Sequence, residues 1–183
     1  AIVEDGLQRM YGHADLADNE DIFYYLTVYN ETYEMPPRPD HLSVAEIVAG
    51  LYRWADAPDR PLRASVVFSG PAHSAAREAA DELAQRWGVG VDLWSATSYK
   101  RLREDALAAD RYNRLHPGNQ PRTPLVTSLL ADGDGPVVAV TDYMTMVPDQ
   151  VGRWVGRPFR MLGTDGFGRS DTRPALRRFF EVD

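Results

Sequence analysis

Apolar positions follow two different periods along this chain, and each change of period marks where a helix or a strand is expected. Residues 1–11 place apolar side chains at near-helical spacing, which predicts an amphipathic helix ending at Gly12. Residues 22–29 form a run of β-branched and aromatic side chains with almost no polar position. Such a run is typical of a strand covered on both faces. We therefore expect this strand to belong to a larger sheet, because the elements next to it in sequence cannot cover both of its faces.

A proline-rich stretch separates this first part from the remainder of the chain. Residues 30–40 contain three prolines, which fix φ and restrict the residues before them, so the stretch predicts a stiff linker. Ser43 and Glu46 then have the spacing of a capping box at the start of a helix. The apolar side chains that follow predict that this helix continues to Trp54, and residues 56–61 form a second break.

Beyond this break, short apolar runs alternate with longer amphipathic segments. The predicted strands are Ala64–Phe68, Val89–Trp94, Pro136–Val140 and Phe159–Leu162. The predicted helices are His73–Trp87, Ser98–His116, Thr123–Ala131, Val147–Trp154 and Arg173–Phe180. This alternation predicts an α/β fold with three layers, in which helices cover both faces of a mostly parallel sheet.

Composition mainly excludes classes of protein. The 183 residues are 44% hydrophobic and 26% charged, as in an ordinary folded domain with one core. The net charge of −7 argues against a nucleic-acid partner, which would need a basic face. The absence of cysteine excludes thiolate chemistry and fits the cytoplasm. With no apolar run of membrane-spanning length and no signal-peptide pattern, we expect no membrane partner.

One turn between a strand and a helix has the composition of a weak anion-binding loop. Its candidate residues are Ser69, Gly70, His73 and Ser74. The amides at a helix N-terminus can bind an anion, but the turn lacks both the dinucleotide fingerprint and the P-loop lysine. An ordinary turn between a strand and a helix is the simpler alternative.

No other motif forms a self-sufficient catalytic or metal site. The four histidines lie far apart in sequence, without the spacing of metal ligands, and neither a nucleophile elbow nor a zinc-protease motif is present. Asp142 follows a predicted strand at the end where α/β sheets bind ligands, although a helix cap is an equal alternative. The residues themselves therefore predict no catalytic, cofactor-binding or metal-binding side chain.

A nine-residue loop near the end of the chain has the most unusual composition. It reads Gly163, Thr164, Asp165, Gly166, Phe167, Gly168, Arg169, Ser170 and Asp171. Glycine permits backbone angles closed to other residues and close approach of another backbone. Considered alone, the loop is either a structural turn or a functional loop, catalytic or phosphate-binding.

Several segments together are more specific than any one of them. In chain order they are Asn19–Glu31 with Tyr33 and Met35–Pro36, Asp92–Tyr99, Tyr112–Pro117, Thr141–Met144 and Gly163–Asp171. This combination closely resembles the C-terminal end of the E1 component of homodimeric-type pyruvate dehydrogenase complexes. It looks most like actinobacterial members of that family. The resemblance covers essentially the whole chain but only the last part of the much longer family sequence.

The resemblance implies a transketolase-like enzyme that contains thiamine diphosphate and magnesium when complete, with neither bound by this chain alone. The complete enzyme would decarboxylate pyruvate and transfer the acetyl group to the lipoyl arm of an E2 acyltransferase. Residues 1–35 would end the middle domain, residues 36–60 would form a linker with a helix, and residues 61–183 would form the transketolase C-terminal-like domain. Further partners would be the remaining E1 domains or partner subunits and a second E1 copy in a dimer.

The resemblance also changes the interpretation of the nine-residue loop, Gly163–Asp171. In this context the loop is expected to dock the C-terminal domain against the domains that carry the cofactor, together with Asn30 and Tyr33. The family's diphosphate motif and its catalytic residues lie outside this stretch, so no catalytic role is carried over. An exposed apolar patch is expected around Phe23, Tyr24, Tyr25 and Tyr29.

Two alternatives remain open at this point. The chain could be a separate, non-catalytic subunit of a split transketolase-like enzyme in specialised metabolism, requiring partner chains. It departs from the family at residues 69–74, where the family usually reads Gly-Ser-Gly-Ser, and this departure fits a specialised relative. A stand-alone flavodoxin-like binding module would instead bind a nucleotide or flavin through Ser69–Ser74, but would leave the first strand and the linker unexplained.

Overall fold

A computed structural model describes residues 1–29, 32, 34 and 36–181 and divides the chain into two compact units, Ala1–Val48 and Ala49–Asp183. The strands are β1 (Leu51–Ala55), β2 (Leu62–Phe68), β3 (Val89–Ala96), β4 (Val137–Val140) and β5 (Phe159–Leu162). The helices are α1 (Ile2–Tyr11), α2 (Val44–Ala49), α3 (His73–Arg86), α4 (Tyr99–Leu115), α5 (Leu125–Leu130), α6 (Met146–Asp149) and α7 (Arg173–Phe179). Short 3-10 turns cover Leu16–Asp18, Gly70–Ala72 and Gly152–Trp154.

In the first unit, the segment after α1 folds back along that helix. The Tyr24 hydroxyl donates to Asp5 Oδ2 at 2.6 Å and accepts from Arg9 Nη1 at 2.8 Å. Arg9 also donates to both carboxylate oxygens of Glu20. Gly6 permits the tyrosine ring to pack here, because a Cβ at this position would lie 3.0 Å from the ring. These contacts confirm the predicted first helix and place Tyr24 against it.

The strand predicted over residues 22–29 is wrong, since residues 21–29 form no strand. A strand needs a neighbour for its backbone hydrogen bonds, and the described residues of the first unit supply none. The side chains of Phe23 and Tyr25 are consequently 87% and 86% exposed, and Tyr29 is also exposed. The expected apolar patch is thus present, except that Tyr24 is partly buried against α1.

The second unit is built on a five-stranded sheet with the order β1-β3-β2-β4-β5. Strands β3, β2, β4 and β5 run parallel, and β1 runs antiparallel to β3. Phe68 pairs with Val140, which pairs with Leu162, so β2, β4 and β5 end side by side. We call this end of the sheet the carboxyl edge.

Two apolar clusters on opposite faces of the sheet make three layers. On one face, Val66 and Leu93 pack with Ala76 and Ala80 of α3. On the other, Val67 and Trp94 pack in a cluster that includes Leu102 of α4 and Val126 of α5. Alternating strand residues thus point to opposite faces, and the predicted three-layer α/β/α fold is confirmed. No helix in the described part of the chain has the length and apolar content needed to cross a bilayer.

The helix predicted from Ser43 to Trp54 is correct only in its first half. The capping box forms, with Glu46 Oε2 accepting from the Ser43 amide at 2.9 Å and hydroxyl at 2.7 Å. The helix ends at Ala49 because Gly50 adopts a φ of +109°, which side-chain-bearing residues rarely adopt. The chain then continues as β1, whose Leu51 pairs with Ala96 of β3.

The predicted helix over residues 147–154 is also wrong in its extent. The structure has the four-residue helix α6 and a separate 3-10 turn, Gly152–Trp154. Pro148, which lacks an amide hydrogen, lies inside α6, and Gly152 packs under Phe159, whose ring would lie 3.1 Å from a Cβ. The remaining predicted strands and helices agree with the structure to within a few residues at their ends.

Candidate functional site: the carboxyl edge of the sheet

Three loops leave the carboxyl edge next to one another, after β2, β4 and β5. Strand β3 lies on one side of β2 and strand β4 lies on the other. The gap between β2 and β4 is therefore a topological switch point of the sheet. Open α/β sheets bind their ligands and partners at such a position. The loops after these strands contain residues 69–72, 141–145 and 163–171, which include most of the predicted site residues.

Tyr143 links the loop after β4 to the loop after β2. Its hydroxyl donates to the buried Ser69 Oγ at 2.8 Å, while the Ser69 amide donates to the Val140 carbonyl at 3.2 Å. Of the other anion-loop candidates, Gly70 has a φ of +55° and His73 and Ser74 begin α3. The structure therefore brings Ser69 to Tyr143, which belongs to the segment Thr141–Met144 of the family resemblance but was not predicted as a site residue. An anion site at these four residues stays a prediction.

The first three residues of the nine-residue loop are fastened to the loop after β4. Asp165 accepts the Thr145 amide at 2.9 Å and the Thr145 hydroxyl at 2.6 Å. These two hydrogen bonds lower the pKa of Asp165 below its usual value. Thr164 donates through its hydroxyl to the Asp142 carbonyl at 2.7 Å and through its amide to the Tyr143 carbonyl at 3.0 Å.

Beyond Asp165 the loop extends into solvent. Gly166 has a φ of +101°, so glycine is needed there for backbone conformation. Phe167 follows with 97% of its surface exposed. A Cβ at Gly166 or at Gly168 would meet no atom within 4 Å, so no close approach inside the described chain requires either glycine.

The end of the loop is held close to α7. The Arg169 guanidinium lies over the Phe179 ring, 4.2 Å from its centroid. Asp171 accepts the amide of Thr172 at 2.7 Å at the start of α7. Ser170 is exposed, and the two predicted interface residues outside the loop, Asn30 and Tyr33, lie outside the described residues.

Exposed apolar side chains surround the fastened part of the loop. Met144 and Met146 are 52% and 72% exposed, and Leu162 at the end of β5 is about half exposed. We call these three residues and Phe167 the carboxyl-edge surface. Neither methionine was predicted as a site residue, although apolar side chains in a loop that follows a strand were a readable signal. Groups of exposed apolar residues are typical of surfaces that bind another protein.

Comparison with known proteins places this geometry in a family. Residues 50–183 match the family model described as the transketolase-like TK C-terminal domain, and residues 1–36 match the middle domain of the pyruvate dehydrogenase E1 component. The chain belongs to the transketolase-like C-terminal-domain family. The resemblance predicted from the sequence is thereby confirmed.

Similar curated proteins are all called pyruvate dehydrogenase E1 component. The protein from Mycolicibacterium smegmatis is 47% identical over 183 residues, that from Mycobacterium tuberculosis 44%, and that from Escherichia coli K12 41%. Each match covers 100% of this chain and 19 to 20% of the relative, so the chain spans about a fifth of their length. A transketolase structure from Leishmania mexicana matches 78% of the chain, and 17% of its own, at 22% identity and a TM-score of 0.49.

A second tyrosine of this transketolase-like domain, Tyr99, was not among the predicted site residues. Tyr99 is buried at the start of α4, and its hydroxyl has no hydrogen-bond partner in the described part of the chain. Burial raises the pKa of Tyr99 far above its usual value, and Tyr143 adds to the effect. Tyr99 is therefore neutral at physiological pH, and its unpaired hydroxyl lowers the stability of the fold.

Metal-binding side chains are not clustered at the carboxyl edge or elsewhere in the described part of the chain. Residues 1–29, 32, 34 and 36–181 contain no group of three or more histidine, aspartate or glutamate side chains that could hold a metal ion. Asp142 is exposed, and its carbonyl is taken by Thr164. The groups described at this edge form hydrogen bonds and present exposed apolar side chains.

Proposed function

We propose that this chain is the C-terminal part of a pyruvate dehydrogenase E1-type enzyme. The complete enzyme would catalyse oxidative decarboxylation of a 2-oxo acid, pyruvate, and transfer of the acetyl group to a lipoyl-bearing E2 in the cytoplasm. The observation that carries the proposal is similarity over all of this chain, at 38 to 47% identity, to pyruvate dehydrogenase E1 components. The contribution of this chain would be domain packing and dimer assembly.

A division of the chain into an end of a middle domain and a C-terminal domain is part of this proposal. The separate family matches of residues 1–36 and 50–183 support it. We draw the boundary after residue 49 and not after residue 60, because β1 within residues 36–60 pairs with β3 of the sheet. Residues 1–35 retain their proposed origin in the middle domain.

The proposal assigns thiamine diphosphate and magnesium to the complete enzyme. Thiamine diphosphate supplies an electron sink for the carbanion that decarboxylation leaves. The residues described here do not fit a magnesium-diphosphate site, since they form no cluster of metal-binding side chains. We therefore derive no chemical step through the cofactor from this chain.

The carboxyl-edge surface is the part of the chain that we propose docks against the remaining E1 domains or a second E1 copy. Phe167 projects fully into solvent from a loop whose base is fixed by Asp165 and Thr145. A large aromatic side chain on a rigid support loses little conformational entropy on binding, which favours it as an interface anchor. Asn30 and Tyr33 are proposed to belong to the same interface.

A reconstitution experiment tests the proposed function. The 183-residue chain is assayed with pyruvate, thiamine diphosphate, magnesium and an artificial electron acceptor, alone and after co-expression with the complementary domains of a pyruvate dehydrogenase E1 component. We expect no turnover by the chain alone, and co-purification with turnover when the two pieces are combined. Turnover by the chain alone would contradict the domain assignment, and failure to associate would contradict the assembly role.

A further inference from the structure

One face of α4 carries a row of three arginines and one leucine. Arg103, Leu107, Arg111 and Arg114 are spaced four, four and three residues apart, so they lie on one side of the helix. All four side chains are exposed, whereas Leu102, Ala106 and Ala109 on the opposite side are buried in the core. We call these four exposed residues the basic stripe.

Two carboxylates of α4 are already paired and cannot neutralise the stripe. Glu104 accepts from Lys100 Nζ at 2.6 Å, one turn earlier on the same helix. Asp105 accepts the Leu125 amide at 2.6 Å and so fixes the start of α5. Both carboxylates therefore serve contacts that do not involve the arginines of the stripe.

The third carboxylate is engaged in the same way. Asp110 Oδ2 accepts from Arg153 Nη2 at 3.0 Å and from Trp154 Nε1 at 3.1 Å. Within the described residues, the side chains of the three arginines of the stripe form no hydrogen bond or ion pair. The stripe is thus a local concentration of positive charge on a chain whose net charge is −7.

Both ends of α4 are held in place, so the stripe has a fixed geometry. At the start, Ser98 Oγ accepts the Arg101 amide at 3.2 Å. At the end, Asn113 Oδ1 accepts the Arg122 amide at 2.7 Å, and Asn113 Nδ2 donates to the Arg122 carbonyl at 2.9 Å. The Arg122 guanidinium also stacks on Tyr112 with 3.7 Å to the ring centroid, which further fixes this end of α4. A surface ordered in this way loses little entropy when a partner binds.

We propose that the basic stripe binds an acidic segment of a partner protein. Arginine forms bidentate hydrogen bonds with carboxylates, and Arg103 and Arg114 are about 17 Å apart along the helix axis. The exposed side of Leu107 lies between the cations and would contact an apolar side chain of that segment. An exposed apolar residue within the row of cations favours a protein segment, which can offer it an apolar side chain, over a nucleic-acid backbone. This inference is independent of the proposed function.

Paired charge-reversal variants of the 183-residue chain test the inference. The stripe variant is Arg103→Glu with Arg111→Glu, and the control is Arg38→Glu with Arg77→Glu, two exposed arginines elsewhere that give the same change in charge. The probe is an oligoglutamate peptide of about 15 residues, long enough to follow the helix face. Binding is measured by fluorescence anisotropy at low ionic strength, where surface charges are least screened.

We expect the stripe variant to bind the peptide at least about tenfold more weakly than the parent chain, and the control variant to stay within about twofold. Higher salt should weaken binding by the parent. If the stripe variant fails to fold by circular dichroism, Arg103→Gln with Arg111→Gln replaces it, against Arg38→Gln with Arg77→Gln. Equal losses in stripe and control variants, no binding by the parent at about 1 mM peptide, or equally tight binding of a DNA duplex would each overturn the inference.

Discussion

Asp165 and Thr145, twenty residues apart, are joined by two hydrogen bonds, from the Thr145 amide at 2.9 Å and from its hydroxyl at 2.6 Å. This pair fixes the base of the nine-residue loop to the loop after β4. It also lowers the pKa of Asp165, since the ionised carboxylate is the better acceptor for both donors. The position of the loop therefore depends on the negative charge of Asp165, which is lost when the carboxylate is protonated at low pH.

Asp165→Asn is expected to make the chain less stable at neutral pH and equally stable in acid. A carboxylate whose pKa is lowered by folding contributes stability above its ordinary value of about 3.9 and loses it as the pH falls through the lower folded value. The difference in melting temperature between parent and variant should be full at pH 7 and shrink below about pH 4. Asp59→Asn, at an exposed aspartate outside the loop, serves as control. A difference that is independent of pH would show that the lost charge is not the cause.

Phe167→Ala is expected to weaken association with the remaining E1 domains without altering the stability of the isolated chain. The side chain contributes nothing to the core because 97% of it is exposed, but an anchoring aromatic residue is worth about 2 kcal/mol or more in an interface. The dissociation constant of the reconstituted enzyme should rise roughly thirtyfold. Trp87→Ala removes another exposed aromatic side chain, at the C-terminal end of α3, and should leave association unchanged. If Phe167→Ala associates normally but loses turnover, the loop has a role in the active site and not in docking.

Two glycines of the loop should respond in opposite ways to alanine. A Cβ at Gly163 would lie 2.4 Å from the Tyr143 carbonyl oxygen, which already accepts the Thr164 amide. We expect Gly163→Ala to lower the free energy of unfolding by about 1 to 3 kcal/mol. Gly168→Ala meets no atom within 4 Å and should be neutral or stabilising by up to about 1 kcal/mol. Urea unfolding of both variants measures the contrast, and equal effects would mean that the loop is not packed as described.

Replacing Tyr99 and Tyr143 by phenylalanine should change the free energy of unfolding in opposite directions, because of these two hydroxyls only that of Tyr143 has a hydrogen-bond partner among the described residues. Tyr99→Phe deletes a buried hydroxyl without a partner and should raise the free energy of unfolding by about 1 kcal/mol. Tyr143→Phe breaks the hydrogen bond to the buried Ser69 Oγ and should lower it by about 1 kcal/mol. Thermal unfolding of the two variants is the measurement. Loss of stability in Tyr99→Phe would indicate that its hydroxyl has a partner.

The sequence was sufficient for the parallel part of the sheet and insufficient for elements that depend on distant neighbours. Strands β2 and β3 are mostly apolar because helices cover both their faces, and this bias is visible locally. Strand β1 is a short edge strand whose apolar residues also fit a helical period, so only its pairing with β3 decides its conformation. Residues 22–29 have the composition of a strand without a strand beside them, and composition cannot supply that partner.

The candidate site shows the same limit. Composition identified the nine-residue loop, but the partners of its Asp165 and Thr164 lie about twenty residues earlier, in a loop brought alongside by the pairing of β4 with β5. Tyr143 and Ser69 are 74 residues apart and meet only because β2 and β4 are neighbours. Periodicity reports which face of an element is buried, and it carries no information on which loops meet.

The antiparallel direction of β1 has a consequence for the strength of docking. Its first residue, Leu51, pairs with the last residue of β3, and the carbonyl of Gly50 before it accepts the amides of Thr97 and Ser98. The chain consequently enters the second unit at the carboxyl-edge end of the sheet, on the outer strand opposite to β5, whose following loop holds Phe167. A docking partner that precedes β1 in the same polypeptide would be tethered at that end of the sheet, and a short tether gives an effective concentration of about a millimolar or more. Contacts too weak to hold two separate chains together would then suffice, and substitutions at this surface should have larger effects on separated pieces than on a continuous chain.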